Sequence, residues 1–114
     1  MKIKEVVELL NAKVVSGHDQ LDAEVEFAFA SDLMIDVLTI ETDNLLLLTG
    51  LANLQTIRTA EMSDINKIIF VRKKKATSEM IRLAAENDMI LIECDYSMFK
   101  SSGILFNSGV KPVY

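Results

Sequence analysis

Apolar residues gather in three short unbroken runs in the second half of the chain: Leu45-Leu46-Leu47-Leu48, Ile68-Ile69-Phe70-Val71 and Ile90-Leu91-Ile92. Each is too short for a helix, and strands covered on both faces read as continuous apolar runs. Each run is followed by a small or polar loop and then by a stretch with helical spacing. That order predicts three strand–helix units joined by right-handed crossovers. The fold class is α/β: a mainly parallel sheet with helices packed on its faces. Ligands of such sheets sit in the loops beyond the strand carboxyl ends, which here are residues 49–53, 72–77 and 93–97.

The first half is less regular. Ile3, Val6, Val7 and Leu10 fall at i, i+3, i+4 and i+7, the spacing of an amphipathic helix over residues 2–11. Residues 13–16 make a short strand, and Gly17-His18-Asp19 a turn. Residues 23–30 alternate Val25, Phe27 and Phe29 against Glu24 and Glu26, which reads as a half-exposed strand. These first strands form an antiparallel or mixed edge. Ser31 then caps a short helix over residues 32–40, with Asp32 facing the positive end of its dipole. Further on, Asn53 caps residues 54–62, Thr77 caps residues 78–87, and Asp95 caps residues 96–107 before Gly109 stops that helix.

At 114 residues, half of them apolar, the chain reads as one domain, residues 1–114. Its apolar runs fall far short of the ~20 residues of a membrane span. Met1-Lys2-Ile3-Lys4-Glu5 opens a charged amphipathic pattern and not a signal peptide, so the expected location is cytoplasmic. The net charge of −5 disfavours nucleic acid, which requires a concentrated basic face. The single cysteine, Cys94, ends a buried run and reads as a packed, inert thiol.

Candidate chemistry is sparse. His18 is the only histidine, and no nucleophile–base pair can be built around it or Cys94. Asp32 and Asp36, four apart, would share a helix face able to hold a cation, but no third ligand accompanies them. The bland reading, a cap and a solvated charge, is preferred. The four glycines do not form a P-loop; the stretch from Gly103 to Pro112 fails at the spacing and lacks a following helix. No catalytic residue, cofactor or metal site is therefore expected. The basic run Arg72-Lys73-Lys74-Lys75 lies between an apolar run and the helix capped by Thr77. There it either receives an anion together with a helix dipole or is a solvated turn that guards the sheet against association. With the companion loop of Thr49, Gly50 and Asn53, it makes Arg72, Lys73, Lys74 and Thr77 the best small-ligand candidates.

Two helices carry more apolar side chains than one stripe can bury: Met34, Ile35, Val37 and Leu38 in the first, and Phe99, Ile104, Leu105 and Phe106 in the last. Surplus of this kind points to a partner, most simply a second copy. Met34, Ile35, Leu38, Phe99 and Phe106 are the candidate interface.

Two motifs carry a family resemblance. Val14-Val15-Ser16-Gly17-His18-Asp19-Gln20-Leu21-Asp22-Ala23-Glu24-Val25, followed by Ala30-Ser31-Asp32-Leu33-Met34-Ile35-Asp36-Val37, resembles the opening of the DRTGG domain and of the N-terminal domain of HPr kinase/phosphorylase. The order of the later apolar runs fits the same pattern. The chain departs from it in carrying Leu51-Ala52-Asn53 where an "asp-arg" pair is frequent, and Arg72-Lys73-Lys74 where "thr-gly-gly" is usual. The resemblance implies a stand-alone α/β regulatory module without the kinase's catalytic domain. Such domains occur fused to CBS pairs and pyrophosphatases, where they contribute to dimerisation and ligand sensing. The implied function is a non-catalytic, dimeric, ligand-sensing module for a small anionic metabolite or a protein partner. The alternative is an accessory subunit of an HPr kinase-like phosphotransfer enzyme.

Overall fold

The computed structural model describes residues 1–114 and contains one six-stranded sheet. Its elements are α1 (Ile3–Leu9), β1 (Lys13–Ser16), β2 (Phe27–Ala30), α2 (Met34–Val37), β3 (Leu45–Thr49), α3 (Leu54–Met62), β4 (Lys67–Phe70), α4 (Ser78–Glu86), β5 (Ile90–Glu93), α5 (Met98–Asn107) and β6 (Lys111–Pro112). The spatial order is β1-β5-β4-β3-β2-β6. Every pairing is parallel except β1 with β5. The α/β class and the mainly parallel sheet are as the apolar runs imply.

Handedness explains where the helices go. The chain steps in one direction from β2 through β3 and β4 to β5, so right-handed crossovers place α2, α3 and α4 on one face. The return from β5 to β6 runs the opposite way, and the same rule sends α5 across the other face, beside α1. The core accordingly has two layers of 13 buried residues each. Leu46, Leu48, Ile69, Val71, Ile90 and Ile92 meet α1 and α5, while Leu45, Leu47, Ile68, Phe70 and Leu91 meet α2, α3 and α4. This period-2 burial of apolar side chains on both faces of the three strands is why they read as unbroken runs.

Three local expectations differ, and one short strand had none. β2 begins at Phe27 and not at residue 23, because Glu24 bridges to Lys2 and the Val25 amide donates to the Met1 carbonyl, drawing that segment away from the sheet. The helix expected over residues 32–40 shrinks to Met34–Val37 with Leu33 as its N-cap. Ser31 still accepts from the Leu33 amide, but Asp32 lies outside the helix, so Asp32 and Asp36 share no helical face. Ser97, not Asp95, caps α5, because the Asp95 carboxylate is turned toward Lys75 at 3.7 Å. β6 is a two-residue strand that the pattern did not reveal; Gly109, at φ +105, turns the chain so that Lys111 and Pro112 pair with Phe27 and Ala28. A proline fits there because β6 is a sheet edge. No helix is long and apolar enough to cross a membrane.

Candidate functional site

The carboxyl ends of β2, β3, β4 and β5 open on one edge of the sheet, and the loops that follow bring seven charged side chains to it. β2 runs into Asp32, β3 ends at Thr49-Gly50, β4 leads into Arg72-Lys73-Lys74-Lys75, and β5 ends at Glu93 before Asp95. Because β4, β3 and β2 are neighbours, Arg72, Gly50 and Asp32 stand side by side.

Asp32 holds this edge together. Its Oδ1 accepts from the Gly50 amide at 2.7 Å and from the Thr49 hydroxyl at 3.0 Å, and its Oδ2 meets the Arg72 guanidinium at 3.1 Å. Partial burial alone would raise the Asp32 pKa; the Gly50 amide, the Thr49 hydroxyl and Arg72 together outweigh it and leave the carboxyl below its usual range. Arg72 also lies over Gly50, donating to its carbonyl at 3.5 Å, and a Cβ built on Gly50 would run into the guanidinium. Glycine at this position is what admits the arginine.

A second carboxylate has a like role at the end of β5, beyond β3 and β4 in the sheet. Glu93, only 8% exposed, accepts from the Ala76 amide at 2.8 Å just ahead of α4, with Lys75 at 3.8 Å. The turn between these two arrangements is held in uncommon backbone. Arg72 and Lys73 have φ of 61° and 63°, the left-handed region that glycine enters freely and other residues at a cost of about 1–2 kcal/mol each. It is kept there by the Arg72 amide donating to the Tyr96 carbonyl and the Lys73 amide to the Cys94 carbonyl.

The candidate ligand residues thus divide. Thr49, Gly50 and Arg72 come together, but around Asp32, and the cleft expected between their loops is closed by the Arg72–Asp32 pair. Asn53 and Thr77 lie on the same edge with their side chains engaged as caps, accepting from the Thr56 amide at 2.9 Å and the Met80 amide at 3.2 Å. Lys73 and Lys74 are exposed and take part in none of the ion pairs. Asp32 and Glu93 belong to the edge without having been singled out for it by the sequence pattern. The signal was present in Glu93, a carboxylate ending an otherwise apolar buried run, and in Asp32, a carboxylate at a parallel strand's carboxyl end.

The candidate interface residues fall on two surfaces. Ile35 and Leu38 are exposed on α2, on one face of the sheet, while Phe99 and Phe106 are exposed on α5, on the other; Met34 is half-buried against the core. Phe99 and Phe106 border an apolar groove of about 320 Å³ with Ala30, Leu48 and Pro112. Cys94 is buried, and its sulfur accepts from the Tyr96 amide at 3.4 Å.

No protein-family model matches the chain, and no curated protein matches it. Among solved structures it is similar to the CBS and DRTGG domains of the regulatory region of Clostridium perfringens pyrophosphatase, a structure complexed with the activator diadenosine tetraphosphate. The TM-score is 0.77 at 12% identity, over 96% of this chain and 47% of the neighbour. The chain spans about half the neighbour's length, and at this identity the likeness is one of fold.

Proposed function

We propose that this chain is a non-catalytic regulatory module of the DRTGG type, related through its opening motifs to the N-terminal domain of HPr kinase/phosphorylase. It senses a small anionic metabolite at the carboxyl edge of its sheet. The observation that carries this reading is the pair Lys73 and Lys74, exposed and without ion-pair partners, which follow the Arg72 that lies over Gly50 and precede α4. A phosphoryl or carboxylate group there gains two cations and the positive end of a helix dipole. The regulatory region of the solved neighbour was captured with a polyphosphate-bridged dinucleotide, which supports a ligand of the phosphorylated class. No nucleophile–base pair or P-loop stands in the sequence, so the reading is of a sensor and not of an enzyme. Calorimetry with inorganic pyrophosphate tests it: the Lys73→Glu, Lys74→Glu double variant should bind at least about tenfold more weakly. Its thermal midpoint should hardly move, because both side chains are solvated. Unchanged affinity in a correctly folded double variant returns the basic run to its role as a soluble turn.

The module is further read as a homodimer formed through α5. Phe99, Gly103 and Phe106 lie at i, i+4 and i+7 and are all exposed, a stripe along one face of the helix. A Cβ on Gly103 would meet nothing within 4 Å, so nothing inside the chain calls for glycine where it costs the helix about 1 kcal/mol. Close approach of a second α5 across a two-fold axis supplies a reason. Sedimentation should report about twice the 12.7 kDa chain mass, and Gly103→Leu or Phe106→Glu should return the monomer. A wild-type monomer at micromolar concentration removes the dimer.

A further inference from the structure

The carboxylate of Asp32 already occupies the place where the anion-binding atoms of the edge converge. A backbone amide from the end of β3 (Gly50, 2.7 Å), a hydroxyl (Thr49, 3.0 Å) and a guanidinium from the end of β4 (Arg72, 3.1 Å) point at its two oxygens. That is a donor set suited to a phosphoryl group as well as to a carboxylate. The left-handed backbone of Arg72 and Lys73 aims the arginine back at this point while Lys73 and Lys74 stay free. The segment that delivers Asp32 is held lightly. Within residues 31–40 only Val37 and Ile40 are buried, and Leu33, Ile35 and Leu38 are exposed.

We propose that Asp32 is a built-in competitor for the ligand: a phosphoryl group takes the Gly50 amide, the Thr49 hydroxyl and Arg72, expels the Asp32 carboxylate, and frees the α2 segment. This rests on the anion-site reading above and adds its regulation. Two anions cannot share three donors at contact distance without one of them leaving or taking up a proton. The apparent affinity is therefore reduced by the fraction of molecules in which Asp32 is out, and removing the carboxylate lifts that reduction. Ligand binding is thereby converted into a new placement of Leu33, Ile35 and Leu38, the apolar surface that α2 carries.

The test titrates inorganic pyrophosphate into the wild type, into Asp32→Ala and Asp32→Ser, and into each background carrying Lys73→Glu and Lys74→Glu. Both Asp32 variants should bind about 10–100-fold tighter than the wild type, and the lysine changes should weaken binding in every background. In the wild type, pyrophosphate should also speed hydrogen exchange of amides 33–38. If the Asp32 variants bind no tighter while the lysine changes still weaken binding, the competitor is overturned and the anion site stands. If no chain responds to the lysine changes, the site and the competitor fall together. Two different Asp32 variants, each checked by circular dichroism, separate a lost competitor from a lost fold.

Discussion

Replacing Asp32 by alanine should cost more stability than replacing Arg72 by glutamine, although the two residues form one ion pair. The pair itself is exposed, with 44% and 41% of the two side chains accessible, and such pairs are worth about 0–1 kcal/mol. The bonds from Asp32 to Gly50 and Thr49 are of another kind. With Asp32 in place Gly50 is buried and Thr49 is fully inaccessible, so deleting their acceptor replaces two charge-assisted bonds with weaker ones to water. A charged hydrogen bond of this type contributes about 1.5–3 kcal/mol. Because Asp32 is itself partly solvated, the lower end applies, and about 1–2 kcal/mol is expected for Asp32→Ala. For Arg72→Gln the cost should stay below about 1 kcal/mol. Urea unfolding at pH 7 measures both; in a thermal melt the larger cost is a fall of about 4–8 °C. The difference must also depend on pH in a definite sense. With its folded pKa depressed, Asp32 adds stability that is present above its unfolded value of about 3.9 and lost as the pH falls through the folded value. The gap between wild type and Asp32→Ala should therefore shrink as the pH falls below about 4. An Arg72→Gln cost equal to or above that of Asp32→Ala would show that the ion pair, not the backbone anchor, holds the edge.

Lys67 is 7% exposed, its ammonium bonded only to Asn66 Oδ1 at 3.2 Å, and desolvation lowers its pKa. Lys67→Met should therefore raise stability at pH 7, and the gain should fade as the pH rises toward 10.5, where the unfolded lysine also loses its charge. Lys73→Gly should relieve left-handed backbone and stabilise by roughly 0.5–1 kcal/mol in urea melts, even as it weakens pyrophosphate binding. Cys94, at 1% exposure, should react with a thiol reagent only at the rate of unfolding, and an immediate full reaction in native buffer contradicts its burial.

The parallel strands of the fold were legible because their signals are local. Leu45 to Leu48, Ile68 to Val71 and Ile90 to Ile92 announce strands covered on both faces, and Asn53 and Thr77 cap the helices where sequence alone places those caps. What stayed hidden depends on partners far along the chain. Asp32 looks like the first residue of a helix until Gly50, 18 residues on, and Arg72, 40 residues on, are brought beside it by the order of the strands. Asp95 loses its capping role to Ser97 because Lys75 comes from the neighbouring strand's loop. β6 is too short to carry a period. The apolar surplus on α2 and α5 was visible in composition, but only the direction of each crossover puts the two on opposite faces of the sheet.

The central claim is that the ligand edge lies at the carboxyl ends of β3 and β4. Amide chemical shifts recorded while inorganic pyrophosphate is added to the isotopically labelled chain test it most directly. The largest saturable changes should appear at Gly50, Leu51, Arg72, Lys73 and Lys74, with a smaller set at Ser78 and Glu79 where α4 begins. Changes confined to the apolar groove beside Phe99 and Phe106, or none at these residues up to saturation elsewhere, would contradict the account.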